Sequence, residues 1–138
     1  MTRHSGIACW IALVAVGLST CRQGPTKGSR VSVSDVDSAA VELSAQAPFD
    51  VELIRKLPGP DRPDYWLGSL PRPLRWTHEG QQRLVTHVVL AAGMQGTPLG
   101  REPTLVGIAY VTDMTILDDT SLDFRKCVHV AMGTARQR

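Results

Sequence analysis

Residues 83–92 read RLVTHVVLAA, and this run carries the clearest secondary-structure signal in the chain. It is rich in aliphatic and β-branched residues, with Thr86 and His87 as its polar interruptions. Gly80 and Gly93 bound it, and glycine commonly stands where a strand gives way to a turn. We therefore predict a β-strand over residues 83–92.

A second run, residues 104–112, reads TLVGIAYVT and predicts another strand. The connection between the two, residues 93–103, is longer than a tight hairpin requires. Its spaced glycines are also found in loops that bind phosphate through backbone amides. The next segment reads as a strand, however, and no Lys-Ser or Lys-Thr pair follows Gly100, so a hairpin loop is the better interpretation.

The end of the chain has a helical periodicity. Apolar residues recur at i, i+3, i+4, i+7 and i+11, namely Phe124, Cys127, Val128, Ala131 and Ala135. Thr120 followed by Asp123 imitates a capping box and would start this helix. Two strands followed by an amphipathic helix predict an α+β fold, in which a small antiparallel sheet carries one C-terminal helix on a face.

The segment before the first predicted strand combines prolines with aromatic residues. Five prolines within residues 58–73 argue against a regular helix or a central strand there. Tyr65, Trp66 and Trp76 lie in or beside this segment. They form either an aromatic binding surface for sugars or an extended partner, or a long loop whose rings cover the edge of the core.

The beginning of the chain has the pattern of an export signal. Arg3 precedes an uncharged apolar run, residues 7–18, and Leu18-Ser19-Thr20-Cys21 follows it. As a helix this run would extend about 18 Å, short of the roughly 30 Å hydrocarbon core of a bilayer. Export therefore fits better than a retained membrane-spanning anchor. An ordinary cleaved secretory signal and an uncleaved anchor are the alternatives.

The tetrapeptide that ends at Cys21 resembles the lipoprotein signal of bacteria, although Thr20 stands where Gly, Ala or Ser is usual. The resemblance implies that the Cys21 thiol carries a diacylglycerol and that cleavage occurs between Thr20 and Cys21. It also implies a location in the bacterial cell envelope, where the protein is held to the membrane by lipid. In this family an Asp after the modified Cys favours the inner membrane, so Arg22 favours the outer membrane.

The predicted organisation is a signal peptide at residues 1–20, a flexible tether at 21–47 and a small domain at 48–138. Within the tether, Val31, Val33 and Val36 indicate a short edge strand, and residues 38–46 indicate a helical turn. Removing the signal takes away Arg3 and leaves 14 Lys and Arg against 13 Asp and Glu. This near-neutral balance argues against nucleic acid as a partner.

Few residues have the spacing of a chemical site. Asp113, Asp118, Asp119 and Asp123 lack the pattern of a calcium loop and are better read as helix caps. A metal site would require His78, His87 and His129 to converge through folding. With Cys21 lipidated, Cys127 is the remaining thiol, and we read it as a small buried residue; a disulfide with Cys21 is the alternative. The sequence predicts no catalytic residue, metal or cofactor.

Residues 84–136 also resemble TonB-type C-terminal domains, in which two strands precede a helix and some variants carry a Cys on that helix, as at Cys127.

The favoured function is a non-catalytic envelope lipoprotein that binds another envelope protein or a cell-wall polymer. One alternative is a small hydrolase with its site around His78, Glu79 and either Asp61 or Asp64. Another is a truncated product without function.

Overall fold

The computed structural model describes residues 23–37, 40–58, 63–119, 121 and 123–138. Their fold is a closed barrel of six antiparallel strands, in which each strand pairs with its neighbours in sequence and the last pairs with the first. The predicted α+β fold is therefore wrong. Among the described residues, no helix has the length and hydropathy needed to cross a bilayer.

The strands are joined by loops of different lengths, and the described connections contain three short helical segments. The elements in chain order are β1 (Arg30–Ser34), α1 (Val41–Ser44), β2 (Phe49–Leu57), β3 (Asp64–His78), β4 (Gln81–Ala92), β5 (Thr104–Val111), 3-10 helices at Met114–Leu117 and Phe124–Lys126, and β6 (Cys127–Gln137). The predicted strands at 83–92 and 104–112 are confirmed as β4 and β5, which form an antiparallel hairpin around the 93–103 loop. The predicted helical turn at 38–46 is confirmed by α1.

The core fills the barrel interior. Successive side chains of a strand point to opposite faces, so alternate residues of each strand reach the inside. The interior residues include Val31, Val33, Val51, Leu53, Trp66, Val88, Leu90, Val106, Ile108, Tyr110, Ala131 and Ala135. We call the end at which β1 begins and β6 ends the base of the barrel, and the opposite end, which carries α1 and the β3–β4 turn, the top.

A smaller apolar cluster lies on the outside of the barrel. The pairing of β2 with β3 slips between Leu53 and Arg55, so the residues after the slip change faces and Leu57 points outward. Leu57 packs there with Leu67 and Val89 beneath the fully buried Ile116 of the Met114–Leu117 helix. The Arg55 guanidinium donates to the Ile116 carbonyl oxygen at 2.7 Å, which fastens this connection to the wall.

The predicted C-terminal helix is a strand. β6 pairs with β5 over Cys127–Ala135 and with β1 over Thr134–Gln137, which closes the barrel. Ala131, Gly133 and Ala135 point inward at a period of two, so the same alanines that fit a helical stripe also fit a strand. As a helix the segment would leave the backbone groups of β1 and β5 unpaired, and tertiary pairing therefore overrides the local pattern.

Two further expectations depended on that helix. The cap residue Thr120 lies outside the described residues, and Phe124–Lys126 forms a single 3-10 turn before β6. The resemblance to TonB-type C-terminal domains rested on a strand–strand–helix order, whereas the order after residue 84 is strand, strand, strand.

The proline-rich segment also forms a strand, contrary to expectation. β3 pairs with β2 on one side and with β4 on the other. Pro71 and Pro73 lie in the interval between Ser69 and Leu74 where the pairing with β4 is interrupted, so neither proline removes a ladder hydrogen bond. Pro58 and Pro63 flank the strands, and Pro60 lies outside the described residues.

Beyond that interruption, β3 and β4 continue as a two-stranded ribbon, which we call the hairpin arm: residues 74–78 paired with 81–85. Its two-residue turn is Glu79-Gly80, and both residues have positive φ, 50° and 75°. Positive φ at both residues is typical of the type I′ turn, whose twist matches that of paired strands, and Gly80 adopts such a φ without strain. The turn sets the register that places Trp76 opposite Arg83.

The barrel begins earlier in the chain than residue 48. β1, which lies in the segment predicted to be a tether, pairs with both β2 and β6 and buries Val31 and Val33 completely. It was expected as an edge strand, but in a closed barrel it has a partner on each side. At the base, Leu99 of the 93–103 loop is buried in the core, and Gln137 N donates to Gly100 O at 2.6 Å.

Candidate functional site

A pocket of about 250 Å³ opens at the top of the barrel, between α1 and the hairpin arm. α1 follows β1, and this connection carries it across to the outer half of β3. The lining residues are Ala40, Val41, Glu42, Leu43, Trp76 and Val130. Leu43 anchors α1 in the core, whereas Val41 is 73% exposed at the rim. The lining therefore consists of five apolar residues and one acidic residue, Glu42.

The aromatic wall of the pocket is Trp76. It stacks on His78 with ring centroids 4.7 Å apart and an interplanar angle of 16°. These residues are two apart on one strand and therefore share a face. Trp76 also meets Tyr110 edge-to-face, with centroids 4.3 Å apart and an angle of 79°. Both arrangements are favourable for aromatic rings, so the indole is held in one orientation before any ligand binds.

The carboxylate of Glu42 is fixed by the backbone of the arm. Its Oε2 accepts a hydrogen bond from Thr77 N at 2.8 Å, and its Oε1 accepts a longer one from the Thr77 hydroxyl at 3.4 Å. A carboxylate has about four acceptor positions, so two bonds leave acceptor capacity for a hydroxyl, amide or ammonium group. The site can thus present a polar acceptor beside an aromatic face.

Tyr110 lies behind Trp76 with its side chain fully buried. Its hydroxyl has no hydrogen-bond partner among the described residues. Burial, and secondly the negative charge of Glu42, raise the pKa of the phenol above its ordinary value. The group therefore stays protonated at neutral pH and can donate a hydrogen bond. Buried polar groups are usually satisfied by protein, water or ligand, so an unpaired hydroxyl at this place is noteworthy.

The three aromatic residues predicted as a binding surface do not lie together. Trp66 is buried in the barrel, and its indole N–H donates to Asp64 Oδ2 at 3.0 Å. Tyr65, the adjacent residue, points to the outer cluster that contains Leu57. Trp76 lies ten residues after Trp66 on β3, at the top of the barrel. Of the three, Trp76 alone lines the described pocket.

The residues of the hydrolase hypothesis do not converge where they are described. His78 Nε2 lies 3.9 Å from Glu79 Oε1, at the turn of the hairpin arm. Asp64 is at the other end of β3, where it pairs with Lys56 Nζ at 2.8 Å. Asp61 lies outside the described residues. The Asp64 version of this site is therefore absent from the fold.

The other candidate ligands serve local structure. Asp113 accepts a hydrogen bond from Thr115 N at 2.9 Å and caps the Met114–Leu117 helix, and Asp119 binds Lys126 Nζ at 3.2 Å. In the part of the chain that the structure describes, no three His, Cys, Asp or Glu residues are grouped so that they could hold a metal ion. Cys127 is a free, half-buried thiol in the outer cluster, and its suggested disulfide partner, Cys21, lies outside the described residues.

Sequence reasoning missed the α1 side of the pocket. Val41, Glu42 and Leu43 were assigned to a tether, so nothing placed them opposite Trp76. The available signal was the helical turn at 38–46, but its packing partner is more than thirty residues away in sequence. Comparison of the chain with protein-family models, curated proteins and solved structures found no match.

Proposed function

We propose that the chain is a lipid-anchored lipoprotein of the bacterial cell envelope whose barrel binds a cell-wall polymer without catalysing a reaction. The observation that carries the proposal is the pocket in which Trp76 faces α1 with the Glu42 carboxylate beside it. Sugar rings stack their C–H faces on indole rings, and their hydroxyls donate to carboxylates.

The position of the pocket agrees with anchoring at Cys21. Nine Cα–Cα steps lead from Cys21 to the start of β1 at Arg30, a distance of at most about 32 Å when fully extended. β1 begins at the base, whereas the pocket opens at the top. A barrel held by Cys21 would therefore present its pocket away from the membrane, toward the polymer. Arg22 favours the outer membrane as the site of anchoring.

Anchoring is tested in cells with labelled palmitate. We expect the full-length chain to incorporate the label and to fractionate with the outer membrane, and Cys21→Ser to lose both properties. An unlabelled wild-type product, or unchanged fractionation of Cys21→Ser, would contradict the anchor. Mass spectrometry of the mature amino terminus identifies the modified residue.

Binding is tested with the full chain in mild detergent and with purified peptidoglycan. Val41→Arg places a long side chain at the pocket rim, and because Val41 is exposed, the fold is expected to tolerate the change. We expect this variant to lose at least about tenfold in retention. The matched control is Leu105→Arg, a similar change at a 40% exposed residue of β5 toward the base. Equal retention of the two variants would exclude the pocket as the binding site.

A further inference from the structure

The hairpin arm has two edges, and among the described residues side chains from outside the arm bond the backbone of its β3 edge only. On the β3 edge, the side-chain amide of Gln46 accepts from Arg75 N at 2.8 Å and donates to Arg75 O at 2.7 Å. Glu42 accepts from Thr77 N at 2.8 Å. Side chains of α1 and its flank thus occupy the positions that a neighbouring strand would fill, and this edge is closed to further pairing.

In the described part of the chain, the β4 edge of the arm has no such cover. β4 pairs with β5 over Val88–Ala91, while residues 81–85 pair with β3 alone. None of the described residues outside β3 forms a backbone hydrogen bond to residues 81–85. The arm is therefore a two-stranded ribbon with one free edge.

The register identifies which backbone groups face that edge. In an antiparallel pair, directly opposed residues alternate between exchanging hydrogen bonds and turning their N–H and C=O groups away from each other. Arg75 and Thr77 direct their backbone groups toward Gln46 and Glu42, so they belong to the second kind. Their partners across the ladder, Leu84 and Gln82, must then direct their own N–H and C=O groups to the free edge.

The side chains around this edge are positive and partly apolar. Leu84 is 69% exposed, and Arg83 beside it is exposed as well. Arg75, which is opposite Leu84, and Arg72, at the foot of the arm, are also exposed. The acidic groups near the arm are Glu79 in the turn and Glu42 on the opposite, β3 edge, so three arginines stand against two carboxylates, and no described carboxylate lies on the β4 edge itself.

We propose that the free edge of β4 at Gln82–Leu84 binds an acidic, extended segment of another protein as an added β-strand. Main-chain hydrogen bonds to Gln82 and Leu84 supply affinity. An acidic residue opposite Arg83 and an apolar residue opposite Leu84 supply selectivity. A second copy of this chain suits the edge less well, because it would bring the arginines of both arms together.

The test uses the full chain in mild detergent at low salt and a fluorescent ten-residue peptide that alternates Glu and Val. We expect saturable binding by fluorescence anisotropy, and weaker binding of a Lys-Val peptide of the same length. N-methylation of two adjacent central residues removes one backbone N–H from each edge of the Glu-Val peptide, so neither edge keeps all of its hydrogen-bond donors. We expect the methylated peptide to bind at least tenfold more weakly, although the protein is unchanged.

A second test uses variants of the protein at the free edge. Leu84→Pro removes an N–H that faces solvent, a position where a strand accepts proline, and we expect it to lower peptide affinity at least tenfold. Leu84→Thr keeps that N–H and should remain within about threefold. Arg83→Glu should invert the preference between the Glu-Val and Lys-Val peptides. Circular dichroism checks that each variant folds.

Several results would overturn the proposal. They are the absence of saturable binding by the Glu-Val peptide, equal binding of its N-methylated form, and unchanged affinity in a folded Leu84→Pro variant. Self-association of the chain that Leu84→Pro abolishes and the peptide does not displace would assign the edge to a second copy instead. The pocket variant Val41→Arg should still bind the Glu-Val peptide, so this inference and the proposed polymer site fail independently.

Discussion

Gln46 and Arg75 are twenty-nine residues apart in sequence and are joined by two hydrogen bonds, in which the side-chain amide of one pairs with both backbone groups of the other. The amide makes the two hydrogen bonds that a residue of a neighbouring strand would make, and so it closes the edge of β3. It also holds α1 over the top of the barrel. Because α1 forms one wall of the pocket, this contact connects the stability of the arm with the shape of the candidate site.

Gln46→Ala should therefore destabilise the protein and loosen the pocket. It removes both hydrogen bonds to the exposed Arg75 backbone, where water can take the place of the amide, and we expect the free energy of unfolding to fall by about 0.5–1.5 kcal/mol. Urea denaturation measures the change. Gln95→Ala, at an exposed loop position near the base, is the matched control and should be nearly neutral. Equal effects of the two changes would show that the amide contact contributes little.

Ile116 fastens the β5–β6 connection to the outer wall. Its side chain is fully buried against the outer cluster of Leu57, Leu67 and Val89. Ile116→Ala should cost about 2–5 kcal/mol, through lost burial and the cavity that remains. Met114→Ala, in the same 3-10 helix but 43% exposed, should cost much less. Similar unfolding midpoints for both variants would contradict this role for Ile116.

Gly68 allows β2 and β3 to approach closely. A Cβ at this position would overlap Val51 Cγ1 and lie 3.3 Å from the Glu52 carbonyl oxygen. Gly68→Ala should destabilise by about 1–3 kcal/mol because the surrounding wall is well packed. Gly100→Ala has open space around the added methyl group and serves as the control. In a double-mutant cycle, Val51→Ala should relieve part of the cost of Gly68→Ala; strict additivity would rule out this steric account.

The thiol of Cys127 should react slowly. Burial, and secondly the charge of Asp123, raise its pKa to about 11. Since the thiolate is the nucleophile, alkylation at pH 8, mapped by mass spectrometry, should be on the order of a hundredfold slower than for an exposed cysteine. The rate should keep rising up to about pH 11. A rate that levels off near pH 9 would disprove the raised pKa.

The same shift has a consequence for stability. The unfolded thiol ionises near pH 9.0, before the folded one. The unfolded state therefore binds fewer protons between about pH 9 and 11, and the stability contributed by the neutral thiol, complete below pH 9, is lost across that window. Cys127→Ser should weaken this part of the pH dependence of unfolding. An identical pH profile for the two proteins would contradict the assignment to Cys127.

Local pattern alone was sufficient for several elements. β4, β5, the strand at β1 and the turn of α1 were all predicted, because a short β-branched run between glycines or a compact helical turn is encoded by neighbouring residues. The apolar leader and Cys21 likewise form a local signal, and the lipid anchor that they indicate stays a prediction. Trp76 was singled out from the sequence, although its partners in the pocket were not.

Tertiary structure decided the rest, because it depends on pairing between distant residues. Cys127, Ala131 and Ala135 fit a helix and a strand equally well, and the open edges of β1 and β5 select the strand. Pro71 and Pro73 are compatible with β3 because the ladder is interrupted where they occur. Glu42 meets Trp76 because the barrel closes and carries α1 to the arm. The spacing of residues along the chain does not encode contacts between distant residues. Such contacts become favourable only when the barrel closes, that is, when the last strand pairs with the first.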